Sequence, residues 1–111
     1  MPDPAPDHPL DRLAATIAAR RDADPASSWT ARLLAAGPSA CAKKFGEEAM
    51  EAVIEAVGGD RERLTAEAAD VLYHLLVMLA AREVTLDELL AELARREGVS
   101  GVAEKAARKG G

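Results

Sequence analysis

The sequence predicts an all-α fold, an antiparallel helical bundle of four to five helices, on three observations. Apolar residues recur at three- and four-residue spacing in most segments, and no segment alternates with the period of two that a half-buried strand requires. Glycine, proline and aspartate fall at a few places and divide the chain into helix-sized pieces. Two of those pieces are long and are joined only by Gly58-Gly59-Asp60, so they must lie antiparallel.

Met1 to Pro9 carries four prolines and two aspartates with little to bury, so residues 1–9 are expected to form a disordered arm. Leu10, Leu13, Ala14, Ile17 and Ala18 share one stripe of a helix that Asp22-Ala23-Asp24-Pro25 ends near Arg20 or Arg21. Ser27 or Ser28 caps a short helix from Trp29 to Ala36, which Gly37-Pro38 stops. Ser39 is the expected N-cap of the first long helix, which runs to Val57 and ends at Gly58. Gly46 lies inside it, where glycine costs about 1 kcal/mol relative to alanine. A close approach by another helix or by a ligand is expected there. Asp60 caps the second long helix, which extends to Ala81 or Arg82. Thr85-Leu86-Asp87-Glu88 is a capping box, and its helix should turn Leu86, Leu89, Leu90 and Leu93 inward until Gly98. The folded domain is thus 10–98, and residues 99–111 form a short basic tail.

A chain of 111 residues is one domain, and 19 acidic against 14 basic residues give a net charge of -5. That balance disfavours a nucleic-acid partner, although a local basic patch suffices for a phosphorylated small molecule. The single cysteine, Cys41, permits no internal disulfide and fits a reducing compartment. The N-terminus lacks the apolar segment of a secretory signal, and the apolar run from Val71 to Ala81 is too short to span a bilayer. A cytoplasmic protein with no membrane partner is expected. The apolar sides of that run exceed what so few other helices cover, which predicts a homodimer or larger assembly.

At about 3.6 residues per turn, Glu48, Glu51 and Glu55 share a stripe on the first long helix, and Glu67, Asp70 and His74 share one on the second. In the antiparallel hairpin, Glu48 and Glu51 face Glu67 and Asp70. Acids on a helix face are ordinarily solvated, and Glu-x-x-Glu alone says no more than that. Glu67 and Asp70 differ, because they precede the most apolar helix, where solvent is least available. Gathered carboxylates repel, and a hard divalent cation, Mg²⁺ or Mn²⁺, resolves the repulsion while phosphate oxygens complete its shell. This points to a phosphate ester or anhydride as substrate. Lys43 and Lys44, one turn away, are surface lysines or contacts for outer phosphates. His74 either orients a ligand or substrate, or is a packed histidine bonded to a carbonyl. Tyr73 and Cys41 read as core residues, and Trp29 as packing or a platform for a base.

The pattern Glu47-Glu48-x-x-Glu51, fifteen residues, then Glu67-x-x-Asp70 resembles the signature of the all-α nucleoside triphosphate pyrophosphohydrolases, the MazG-like superfamily. Within it, Lys43-Lys44-Phe45-Gly46-Glu47-Glu48 and Glu67-Ala68-Ala69-Asp70-Val71-Leu72-Tyr73-His74 resemble the phosphoribosyl-ATP pyrophosphohydrolases of histidine biosynthesis. The similarity runs from about Leu10 through Ser27-Ser28-Trp29-Thr30-Ala31-Arg32 to Arg96, with Trp29 where a tyrosine is common. The resemblance implies Mg²⁺-dependent cleavage of the α,β-phosphoanhydride of phosphoribosyl-ATP by water. It implies Glu48, Glu51, Glu67 and Asp70 as metal ligands, Glu47 as the residue acting on water, and Lys43, Lys44, His74 and Arg32 as substrate contacts. Two other readings remain open: a house-cleaning hydrolase of ordinary or damaged nucleoside triphosphates, and a non-catalytic helical interaction or metal-binding protein. Glu-x-x-His pairs, which a di-iron bundle needs, are missing at His74, since Val71 stands three residues before it.

Overall fold

The structure, a computed structural model, describes residues 8–98. The expected tail, 99–111, and the arm up to residue 7 lie outside the described residues. Five helices follow one another: α1 (Pro9–Arg20), α2 (Trp29–Ala36), α3 (Pro38–Gly58), α4 (Arg61–Ala81) and α5 (Leu86–Arg96). Among the described residues there is no strand.

The starts of the helices follow from their caps. Pro9, assigned to the arm from the sequence, is the first residue of α1, and His8 caps it, Nδ1 accepting from the Leu10 N–H at 3.0 Å. Ser28 caps α2, Asp60 caps α4, and Thr85 with Glu88 closes the capping box of α5. Helix α3 differs from expectation: Ser39 lies in its first turn, and Gly37 is its N-cap as well as the C-cap of α2. Gly37 has φ of 98°, a backbone that side chains strain to adopt, so one glycine turns the chain between two helices. Pro38 then opens α3 rather than merely stopping α2, its missing N–H falling where a helix has no acceptor for it.

The two 21-residue helices α3 and α4 form the hairpin that carries the rest. Their joint is tight. A Cβ on Gly59 would stand 2.9 Å from the Cα of Glu55 and overlap that residue's carboxylate, so only glycine passes there. The core sits toward the far end, where α1, α2 and α5 cover the N-terminal part of α3 and the C-terminal part of α4. Ile17, Leu33, Cys41, Leu76, Val77 and Leu86 form it. Ile17 and Val77 are fully enclosed, each worth about 1.5–3 kcal/mol of hydrophobic stabilisation. Cys41 belongs to this core as expected, its thiol donating to the Leu33 carbonyl at 3.1 Å. Burial raises the thiol pKa above the ordinary 9.0.

Three expectations about packing change. Leu90 and Leu93, assigned to the inner face of α5, are 43% and 53% exposed, so only Leu86 and Leu89 of that stripe reach the core. Gly46 has no close neighbour among the described residues: a Cβ there would meet nothing within 4 Å, so no other helix makes the expected approach, which leaves a ligand as its alternative. Finally, although Val71–Ala81 alone is short, α4 contains an 18-residue window with a mean hydropathy of 1.4, long and apolar enough to cross a membrane by length and composition alone. Glu67 and Asp70 stand inside that helix, and they turn toward α3.

At the end of α4 the chain makes a Schellman turn. Glu83 N–H bonds to the Ala80 carbonyl at 3.0 Å and Val84 N–H to the Leu79 carbonyl at 2.9 Å, which places Glu83 in the left-handed region, φ 60°.

Candidate active site

The hairpin register brings the acids together at its middle. Oxygen atoms of Glu48 on α3 and of Glu67 and Asp70 on α4 all lie within 4.8 Å of one another. Glu48 is only 8% exposed, unusual for a carboxylate, and faces α4 at the border between the packed core and the open end of the hairpin. Glu51 stands beside this trio. The charge and hydrogen bonding of Glu48, and then of Glu67, raise its pKa above the ordinary 4.5, the direction expected when carboxylates share a small space. Glu55, next on the same stripe, instead folds back against Gly59 at the joint.

Basic residues border the acids. Lys44 Nζ is 3.2 Å from Glu48 Oε1 and 3.7 Å from Glu47, and chiefly the hydrogen bond to Glu48 raises the pKa of this lysine above 10.5. Lys43 and Glu47 are exposed on the same stretch of helix. Arg32, on α2, places its guanidinium carbon 6.0 Å from the Trp29 ring centroid and donates to the Pro25 carbonyl. Trp29 itself is 48% exposed.

His74 is the other buried polar residue among those described. Its Nδ1 lies 2.8 Å from the Asp70 carbonyl, and its Nε2 is enclosed without a hydrogen-bond partner. The Tyr73 ring packs edge-on against it, centroids 4.8 Å apart. The Tyr73 hydroxyl in turn hydrogen-bonds Thr30 at the start of α2. The sequence assigns Thr30 no role of its own: the partners are 43 residues apart, and its place in the Ser27-to-Arg32 stretch of the family resemblance is the one signal that marks it. A cavity of about 270 Å³ between α1, α4 and α5 lies away from all of these groups and is lined mostly by apolar residues, Ile17, Leu76 and Leu86 among them, with Arg21, Glu83 and Thr85 as its polar members.

The carboxylates fit a hard divalent cation. Glu67 Oε2 is buried with no partner, and Lys44 is the single lysine paired with the cluster among the described residues, so negative charge remains uncompensated. Oxygens opposite each other on an ion bound at about 2.1 Å are about 4.2 Å apart. The observed spread of 4.8 Å is close enough for small side-chain rotations to bridge. Oxygen ligands without nitrogen or sulfur suit Mg²⁺ or Mn²⁺ over softer metals.

Fold and site together define an all-helical protein with a carboxylate cluster that could hold a cation, set across an antiparallel hairpin. Within that class, residues 10–97 match the phosphoribosyl-ATP pyrophosphohydrolase family, and the chain belongs to it. A phosphoribosyl-ATP pyrophosphatase of Cereibacter sphaeroides is 75% identical over 99 residues, spanning 89% of this chain and 96% of the relative. One from Dinoroseobacter shibae is 75% identical over 99 residues, 89% of this chain and 97% of its own. A third, from Ruegeria pomeroyi, is 71% identical over 102 residues, 92% and 97% of the two chains.

Proposed function

We propose that this chain hydrolyses phosphoribosyl-ATP to phosphoribosyl-AMP and pyrophosphate, the second step of histidine biosynthesis. The observation that carries the reading is the convergence of Glu48, Glu67 and Asp70 on one point, in a chain 75% identical to relatives bearing the name of that activity.

Glu48, Glu51, Glu67 and Asp70 would hold Mg²⁺, with Mn²⁺ as a substitute. When bound, the cation neutralises triphosphate charge and acidifies a water molecule. Glu47, exposed beside Lys44, orients the attacking water and takes its proton. The water oxygen bonds to the α-phosphorus, the bond to the α,β-bridging oxygen breaks, and pyrophosphate leaves with that electron pair. Lys43 and Lys44 hold the β- and γ-phosphates, Lys44 turning from Glu48 to do so, and Arg32 contributes a guanidinium to the substrate from α2. The reading includes a cytoplasmic homodimer, or a larger homo-oligomer, with no nucleic-acid or membrane partner. Its support is the face of α3 formed by Met50, Val53, Ile54 and Val57, each more than half exposed.

The test is pyrophosphate release from phosphoribosyl-ATP with and without Mg²⁺, compared with ATP and the deoxynucleoside triphosphates. Release should require the cation, should favour phosphoribosyl-ATP, and should be lost in Glu51→Gln and Asp70→Asn. Equal turnover of the deoxynucleotides favours the house-cleaning reading, and release undiminished in both variants removes the metal assignment.

A further inference from the structure

We propose that His74 is a positioning residue for Asp70: its ring holds the helical turn that presents the Asp70 carboxylate to the cation, and it acts without touching substrate. The inference rests on the metal-site reading above and assigns His74 a different task from that of a substrate contact. Four observations carry it.

The first is direction. A carbonyl only accepts, so Nδ1, 2.8 Å from the Asp70 oxygen, must be the protonated ring nitrogen and the donor. This bond is made four residues back along α4, to the same carbonyl that ends the turn bearing Asp70. The second is burial. With 6% of its surface exposed, His74 is enclosed more completely than any acid of the site, and its ring cannot meet a bound nucleotide without leaving its place. The third is support from outside α4. Tyr73 packs edge-on against the ring and is itself fastened by hydrogen bonding to Thr30, so the His74 orientation is set by α2 as well as by its own helix. The fourth is need. Among the described residues no side chain donates to the Asp70 carboxylate, which is exposed, so the backbone turn carrying it is the main determinant of where it stands. Groups behind the ligands of a metal commonly set its affinity in this way.

Amide side chains separate the two ring nitrogens: asparagine places a donor near the position of Nδ1, and glutamine reaches toward that of Nε2. The probe is Mn²⁺ alone, titrated into the full-length protein by calorimetry, without nucleotide. His74→Leu is expected to weaken Mn²⁺ binding about tenfold, and His74→Asn to recover most of that loss where His74→Gln does not. Circular dichroism checks that each variant is folded, and if His74→Leu is not, the comparison of asparagine with glutamine decides alone. Mn²⁺ affinity unchanged in His74→Leu, or recovered equally by glutamine, overturns the proposal while leaving the metal site standing. A wild-type protein that binds no Mn²⁺ overturns both. One that binds Mn²⁺ but does not cleave phosphoribosyl-ATP overturns only the proposed function.

Discussion

The Nζ of Lys44 stands 3.2 Å from Oε1 of Glu48, one turn further along α3. The most enclosed carboxylate of the site is therefore paired with a lysine from its own helix. A cation held by Glu48, as proposed above, would compete with that lysine for it.

From that competition, Lys44→Met should bind Mn²⁺ more tightly than the parent. The same change removes a charge that would meet phosphate oxygens, and the loss of one such group lowers kcat by about 100-fold or more. Mn²⁺ titration and a pyrophosphate-release assay read the two effects separately. Weaker metal binding in this variant would contradict the competition.

Glu51 gives a pH dependence with a definite sign. Its folded-state pKa is raised by Glu48 and Glu67, so the folded protein holds that proton more tightly than the unfolded chain. In a chelating buffer, stability is expected to fall as pH rises from the ordinary 4.5 through the raised value. Glu51→Gln should flatten this fall and raise the cation-free Tm at neutral pH, at the expense of cation binding. Thermal unfolding across pH 4 to 8, roughly the span of carboxylate titration shifted upward, tests it. A Tm that climbs with pH over that range would be the wrong sign.

Glu83 occupies a left-handed position at the end of α4 that favours glycine. Glu83→Gly should stabilise the fold by about 1 kcal/mol, because a left-handed backbone costs a side-chain-bearing residue roughly 1–2 kcal/mol and the added freedom of the unfolded glycine offsets part of the gain. Urea denaturation measures it, and a destabilised variant would show that the Glu83 side chain contributes more than its backbone costs.

Ile54 and Val57 are 61% and 86% exposed on the open end of the hairpin. If this face joins two copies, Ile54→Glu should turn a dimer into a monomer in light scattering after gel filtration. Retention of the parent mass in that variant would move the interface elsewhere.

The helices and the acid cluster were legible in the sequence because both depend on local rules. Ser28, Asp60 and Thr85 cap as their side chains dictate, and the i, i+3 spacing of Glu48 with Glu51 and of Glu67 with Asp70 needs only an antiparallel turn to bring the pairs together. What escaped depends on tertiary placement. Gly37 and Pro38 read as an end, yet a positive φ at Gly37 lets the same pair be a beginning. Leu90 and Leu93 share a stripe with Leu86, but among the described residues the other helices reach only the first turns of α5. The Thr30–Tyr73 bond joins residues that no local pattern links.

The tight joint at Gly59 leaves the level at which the acids meet to the two helical arms beside it. Glu48 stands ten residues before Gly58 and Asp70 ten residues after Asp60, so each carboxylate lies about 15 Å of helix from the turn. A residue inserted within either arm, between acid and turn, would rotate one acid by about 100° away from the other. The centre therefore depends on matched arm lengths as much as on the identity of its acids.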